Sequence, residues 1–241
     1  MRPPAAARFA EPAALYDLCH QWIDHRAVAA QIEAALLEVG VPDGARLLEA
    51  CCGTGLWLAA LPERYQRLGF DLDAPSLAVA RARLPAAQLF EARLQDWRID
   101  EPVDVILAIF GALAYLSEAE LPAGIAALHA ALRPGGLLLA EPWVSPEELQ
   151  PHKPELLTID TPHLKLSRQV LPERQGDAVV LRFHHLLTAT GLPPRLIITE
   201  DRLTLRSPGA LHQALRQGGF SLLRELPGTG PDRQIGLWRR A

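Results

Sequence analysis

Lysine is nearly missing from this chain of 241 residues: it stands only at Lys153 and Lys165, and arginine carries the rest of the positive charge. No Lys/Arg run forms and the formal net charge is −4, so the basic stripe of a nucleic-acid binder is lacking and no nucleic-acid partner is expected. Long apolar runs are also missing. None approaches the ~18 residues of a membrane-spanning helix, so no membrane partner is expected. Met1–Ala14 is rich in Ala and Pro without a continuous apolar segment, which argues against a signal peptide. Cysteine is scarce, with Cys19 and the neighbours Cys51 and Cys52, an odd and poorly paired set. That excludes a disulfide framework and makes the cytoplasm the expected compartment. What is present is a hydrophobic fraction of 49% against 22% charged residues, enough for a packed core. At this length one α/β domain over residues 1–241, carrying an insertion, is the economical reading.

Residues 1–12 read as a loose arm, and Ala13–Leu37 as helix in two pieces, Leu15–Trp22 and Val28–Leu37. Arg46–Cys51 is a short apolar run that ends in Gly53-Thr54-Gly55, and a helix starts at Leu56: strand, Gly-rich turn, helix. Tyr65–Asp71 is a second strand, Pro75–Leu84 a helix, Ala87–Glu91 a third strand. Val103–Phe110 is apolar almost throughout, the mark of a central parallel strand covered on both faces. Glu118–Leu132 is a helix stopped by Pro134-Gly135-Gly136, and Leu137–Glu141 a fifth strand. This alternation predicts a doubly wound, mostly parallel sheet. Residues 143–206 break it with three strand-like segments, Leu164–Val170, Ala178–Leu187 and Leu196–Leu205, read as an antiparallel β insertion over the mouth of the site. Pro208–Gln217 returns to helix, and Phe220–Glu225 with Gln234–Trp238 forms a closing hairpin.

The chemistry concentrates at Leu47-Leu48-Glu49-Ala50-Cys51-Cys52-Gly53-Thr54-Gly55. Small residues there let a ligand approach the backbone, and glycine reaches positive φ without strain. In an open α/β sheet that turn borders the ligand crevice at the carboxyl ends of the strands. Asp71, 18 positions after Gly53 at the end of the second strand, is placed to accept the two hydroxyls of a ribose. A dinucleotide fingerprint needs a third glycine at 58, where Leu58 stands, which speaks against a nucleotide-dependent oxidoreductase. His184 and His185 are adjacent on a strand and point to opposite faces, so they do not form a metal pair, and no metal is expected.

These strings resemble the class I S-adenosylmethionine-dependent methyltransferases. Glu49-Ala50-Cys51-Cys52-Gly53-Thr54-Gly55 resembles the family's first motif, Gly69-Phe70-Asp71-Leu72-Asp73 its second, and Leu132-Arg133-Pro134-Gly135-Gly136 the turn before strand five. Tyr16-Asp17-Leu18-Cys19-His20-Gln21 and Glu141-Pro142-Trp143 are similar to strings of the branch that N,N-dimethylates nucleotide-linked amino sugars and related small amines. The resemblance implies a seven-stranded Rossmann-like sheet, residues 1–26 as a helical lid, and S-adenosylmethionine as cofactor. It puts Glu49, Gly53 and Gly55 at the methionine end, Asp71 at the ribose, Leu72 beside the adenine and Ile109 at the methionyl tail. After the third strand the family has Gly-Asp; Ala92-Arg93 stand here instead, so Arg93 and the backbone N–H of Leu94 fall at the adenine, with Asp96 as a nearby acid. The implied activity is methyl transfer to a small-molecule acceptor, an amine first, with an O-acceptor or peptide amine as alternatives; a homodimer is compatible with it. In the resembling enzymes a Tyr and a His lie at the acceptor. Tyr16 and Tyr115 occupy those positions here and are expected to position it, with water or His185 taking the proton. Trp143 either lines the acceptor pocket or packs the insertion onto the sheet.

Overall fold

In the computed structural model, which describes residues 12–230 and 232–241, the main sheet is built outward from β1 (Arg46–Ala50). The arm read over residues 1–12 lies, apart from Pro12, outside the described residues. β1 pairs in parallel with β2 (Gln66–Asp71) on one side and with β4 (Val103–Ala108) on the other. Beyond β2 lies β3 (Gln88–Glu91); beyond β4 lies β5 (Leu132–Ala140), followed by the antiparallel hairpin β10 (Phe220–Pro227) and β11 (Gln234–Arg240). The order is β10-β11-β5-β4-β1-β2-β3, so the direction in which successive strands are added reverses between the parallel neighbours β1 and β4. The doubly wound, mostly parallel seven-stranded sheet read from the sequence is the one observed.

Helices cover both faces because the central strands are apolar on both. Leu47, Val105, Leu107 and Leu139 pack with Ile32 and Leu36 of α2 (His25–Glu38) and with Leu58 of α3 (Leu56–Ala60). Their neighbours Leu48, Ile106 and Leu138 point the other way, onto Ile125 and Leu128 of α5 (Leu121–Ala131) and Leu215 of α6 (Pro208–Gln217). Most of these side chains are fully buried, each contributing about 1.5–3 kcal/mol of hydrophobic stabilisation. α4 (Ala74–Arg83) starts at Asp73, whose carboxylate accepts the Ser76 N–H at 2.9 Å. α5 begins three residues later than the helical pattern suggested, because Ser117 and Glu120 close a turn of their own: the Glu120 carboxylate accepts the Ser117 N–H and hydroxyl.

The insertion is a separate antiparallel sheet of four strands, not three: β6 (Glu155–Asp160), β7 (Leu164–Gln175), β8 (Ala178–Ala189) and β9 (Arg195–Thr204), in that order. β6 escapes pattern reading because only Ile159 of its six residues is fully buried, so it lacks a clean alternation. β7 runs on through Pro172, which is tolerated because β6 stops opposite Val170 and leaves β7 an edge there. The inner face packs on two things. Ile159, Leu164, Leu166 and Leu187 cover Leu15 and Cys19 of α1 (Pro12–Cys19), and Val179, Leu203 and Leu205 cover Ala114 in the 3-10 turn Ala112–Tyr115 after β4, with Trp143 beside them. The outer face leaves Leu156, Leu186, Leu196 and Ile198 between 53% and 64% exposed.

Trp143 presses on the backbone of Gly111, where φ is +77° and an added Cβ would lie 2.8 Å from the indole Cδ1. Gly44 has nearly the same φ, +78°, with open space around it. Gly44→Ala should therefore cost only the left-handed penalty of about 1–2 kcal/mol, whereas Gly111→Ala should cost clearly more, about 2–4 kcal/mol with the clash added. Urea unfolding of the two variants measures the difference.

Candidate active site

The reversal between β1 and β4 opens a crevice at their carboxyl ends. The first residue after β1, Cys51, has φ +56°, and Phe110, two residues after β4, has φ +53°. Neither is glycine, and each such residue costs about 1–3 kcal/mol and persists only where its surroundings hold it. A carboxylate braces each of the two turns. Asp71, at the end of β2, accepts the Gly53 N–H at 2.7 Å through Oδ2 and the Asp73 N–H at 2.9 Å through Oδ1. Glu141, directly after β5 and fully buried, accepts the Phe110 N–H at 2.6 Å and, through its other oxygen, the Thr229 N–H at 2.7 Å and hydroxyl at 2.8 Å. Burial raises both carboxyls above the ordinary range, and these donated N–H groups hold them back.

Glu49 lies one strand inward. It is 2% exposed, its one described side-chain hydrogen bond is from the Leu58 N–H at 3.3 Å, and burial drives its pKa well up. The two turn glycines do different work. A Cβ on Gly55 would press on Leu84 and Ala80, so Gly55 lets α4 close on the turn; one on Gly53 would meet nothing within 4 Å, so that side of the turn is open. Leu72, next to Asp71, is 61% exposed, an apolar side chain left uncovered at the crevice rim. Ile109 and Leu94 are buried, and the exposed Arg93 side chain pairs with Asp96 at 3.9 Å. Cys51 and Cys52 are thiols raised by burial, and Cys52 packs beneath Gly69.

α1 is fastened across this turn. The Asp17 carboxylate accepts the Thr54 hydroxyl and pairs with Arg83 of α4, whose guanidinium also donates to the Thr54 carbonyl. That brings Tyr16 over the crevice, its ring 4.1 Å from His20, which in turn meets Phe110 edge-on at 5.5 Å. Burial lowers the His20 pKa to about 4, so the ring is neutral at pH 7. Tyr115 reaches the same space from the 3-10 turn, which Arg206 secures through the Leu113 and Leu116 carbonyls and Glu118. The Tyr115 hydroxyl donates to Asp201 Oδ1 of β9 at 3.4 Å, a long bond. Tyr16 and Tyr115 are 39% and 52% exposed as whole residues, yet both hydroxyls are raised, by desolvation first and then by surrounding acids: Glu49, Asp201 and Asp71 at Tyr16, Asp201 and Asp71 at Tyr115. Both stay protonated at neutral pH.

The structure thus gathers Tyr16, Glu49, Gly53, Asp71, Leu72, Ile109 and Tyr115 around one crevice. His185 is elsewhere: it is 6% exposed, its Nδ1 lies 3.3 Å from the Ile197 carbonyl, and it pairs with Ile197, whereas Asp201 pairs with Leu181, four residues, or about 13 Å, along the strand. Trp143 packs on Gly111. Sequence reasoning passed over the bracing roles of Asp17 and Glu141, although both lay inside quoted strings, and missed Arg206 and Asp201 altogether. Strand parity could have found Asp201, since it shares a face with the buried Leu203. Among the described residues no three His, Cys, Asp or Glu side chains are grouped to hold a metal ion, and no helix is long and apolar enough to cross a membrane.

A glycine turn, a carboxylate ending β2 and a crevice at the β1/β4 reversal define a class I S-adenosylmethionine-dependent methyltransferase. Comparison with known proteins agrees. The family model described as a methyltransferase domain matches residues 47–136. The chain is 31% identical to the dTDP-3-amino-3,6-dideoxy-alpha-D-glucopyranose N,N-dimethyltransferase of Streptomyces fradiae over 91% of its own length and 87% of the relative's. It superposes on the structure of an amino pentose methyltransferase from Micromonospora echinaspora with TM-score 0.80 and 26% identity, covering 94% of this chain and 97% of that one. On Streptomyces venezuelae DesVI the values are 0.85 and 25%, covering 96% and 99%. The chain belongs to the family of S-adenosylmethionine-dependent small-molecule N-methyltransferases; it is an enzyme that transfers a methyl group to an amine nitrogen.

Asp71→Ala removes the acceptor of the Gly53 and Asp73 N–H groups and leaves both donors free. It should weaken S-adenosylhomocysteine binding by roughly 1.5–3 kcal/mol in calorimetry, the worth of hydrogen bonds to a charged group; unchanged affinity would remove Asp71 from the site.

Proposed function

We propose that the acceptor is the amino group of a nucleotide-linked deoxy sugar. The observation that carries this is the charge of the crevice: Glu49, Asp71 and Asp201 bear on the two tyrosine hydroxyls, and the groups weighing most on them include no cation. Such a basin favours a ligand that arrives as an ammonium over one that arrives as a neutral hydroxyl. Two of the relatives named above, from Streptomyces fradiae and Micromonospora echinaspora, are by name methyltransferases of amino sugars.

The residues fit the cofactor. Glu49, buried with one long hydrogen bond, offers a carboxyl whose ionised form a cationic ligand would stabilise; the open side of Gly53 leaves room at the backbone; and exposed Leu72 beside Asp71 offers an apolar surface to a flat ring. In this reading Glu49, Gly53 and Gly55 shape the methionine end, Asp71 holds the ribose, Leu72, Arg93 and Leu94 border the adenine, and Ile109 backs the methionyl tail. When bound, S-adenosylmethionine supplies a methyl group already activated on a sulfonium. The protein's task is to orient the acceptor nitrogen and keep water out. Tyr16 and Tyr115 do the first through their hydroxyls, which stay protonated and therefore cannot act as bases. α1 and the insertion do the second, the N-terminal segment serving as lid. A second copy of the chain is the partner suited to the exposed leucines and Ile198 on the outer face of the insertion.

Two measurements test this. Mass spectrometry of products from dTDP-3-amino-3,6-dideoxyglucose, its 3-hydroxy counterpart and amine-bearing peptides should show methyl groups added to the amino sugar alone. Tyr16→Phe and Tyr115→Phe should each lower its turnover roughly five- to tenfold, a hydrogen bond's worth, and leave S-adenosylhomocysteine affinity unchanged; full turnover in both would remove the hydroxyls from the reaction. Light scattering should give twice the 26.4 kDa of the chain, and Ile198→Asp should return the monomer.

A further inference from the structure

We propose that Asp201 is a catalytic residue of this enzyme, the carboxylate that holds the acceptor's ammonium and takes its proton. The inference rests on the amino-sugar reading and adds to it the proton acceptor that the two tyrosines cannot provide.

Asp201 sits on β9, on the inner face between Thr199 and Leu203. An acid is out of place there. Around it that face buries Val179 and Leu203 against the 3-10 turn, and two other titratable or charged members of the face, Arg168 and His185, pair with each other four residues along the strands on the α1 side, so a carboxylate gains nothing from its own packing. No basic side chain forms an ion pair with it among the described residues; its described side-chain partner is the Tyr115 hydroxyl at 3.4 Å. That one bond leaves most of its acceptor capacity free, since a carboxylate accepts at about four lone-pair sites. The outward neighbours on β9 differ: Glu200 is tied to Arg182, and Arg202 to Gln175. The one acid of this stretch without a cation is the one that faces inward.

The groups that weigh most on the tyrosine hydroxyls are Tyr16 and Asp17 on α1, Glu49 and Cys51 at β1, Asp71 at β2, Tyr115 after β4 and Asp201 on β9; His20 stacks on Tyr16 from the α1 side, where Arg168 of β7 bears on it. Asp17 is occupied by Thr54 and Arg83, and Asp71 by two backbone N–H groups. Glu49 is buried beneath the turn. Asp201 is the acid left to meet an acceptor on the Tyr115 side. Burial raises its pKa, which makes it a better base than a solvated aspartate. In the step itself, the N–H bond of R–NH₃⁺ breaks, an O–H bond forms on Asp201 Oδ, and the electron pair stays on nitrogen as the lone pair that attacks.

The test compares two ligands in wild type and Asp201→Asn, by calorimetry at pH 7.5 with S-adenosylhomocysteine present. They are dTDP-3-amino-3,6-dideoxyglucose and the same nucleotide sugar with a hydroxyl at C3. Wild type should favour the amine by about tenfold or more, as expected for a charge-assisted hydrogen bond. In Asp201→Asn the preference should fall to near parity, with the hydroxyl sugar and S-adenosylhomocysteine bound within about twofold of wild type. A variant that keeps the full amine preference overturns the role of Asp201 and leaves the amino-sugar reading standing. A wild type that binds neither sugar overturns that reading and the proposal with it. Should Asp201→Asn not fold, wild type alone decides: titrations in two buffers of different ionisation enthalpy should show no proton released on binding the amine. Release of one proton per ligand would mean that the nitrogen is bound neutral without a carboxylate partner, and would overturn the proposal.

Discussion

Glu141 binds the two halves of the crevice together. Its carboxylate holds Phe110 in a left-handed turn on one oxygen and the Thr229 loop on the other. Phe110 at φ +53° sets the path of Gly111, and the path of Gly111 decides where Trp143 and the Tyr115 turn come to rest. Asp71 does the equivalent on the β1 side, holding Gly53 after the left-handed Cys51. A crevice with a backbone outlier on each wall is not what packing alone would choose. It persists because Phe110 itself, and Gly53 two residues after Cys51, are each tied to a buried carboxylate.

These ties have an electrostatic consequence. Glu49, Asp71, Glu141 and Asp201 are all raised by burial, and none is neutralised by an ion pair among the described residues. Buried acids without counter-ions oppose folding. What they gain is a site in which positive charge on the cofactor and on the acceptor stabilises the carboxylates as it binds. Arg83 fixes α1 and Arg206 fixes the Tyr115 turn, and neither needs to enter the crevice to do so.

The sheet was legible because its signals are local and strong. Val103–Ala108 reads as a buried strand from apolar residues alone, and Gly53-Thr54-Gly55 marks the turn by composition. α6 was read at its observed bounds, since Ser207 caps and Pro208 starts it. The insertion was legible only as strand-rich. β6 was lost because a half-exposed edge strand has little periodicity, and β7 was read only as far as Val170, short of Pro172. Within the site, residues read from the Gly turn and from β2 lie together. What could not be read was pairing across long separations. Asp201 and Tyr115 are 86 positions apart, as Glu141 and Thr229 are 88, and nothing in local pattern reports which acid a distant hydroxyl will meet. His185 lost its expected place for the same reason: parity gave its face, and only the register of β8 against β9 gave its distance along the strand.

The account turns on the crevice between β1 and β4 being one site for both reactants, walled by Asp71 on one side and by the Tyr115 turn on the other. A crystal structure of the chain with S-adenosylhomocysteine and a dTDP-amino sugar tests that most directly. The account predicts the ribose hydroxyls on the Asp71 carboxylate, the homocysteine end beside Glu49 and Gly53, and the sugar nitrogen between Tyr16 and Tyr115. A sugar bound with its nitrogen away from both tyrosines, or a nucleoside seated anywhere but against Asp71 and Leu72, would contradict it.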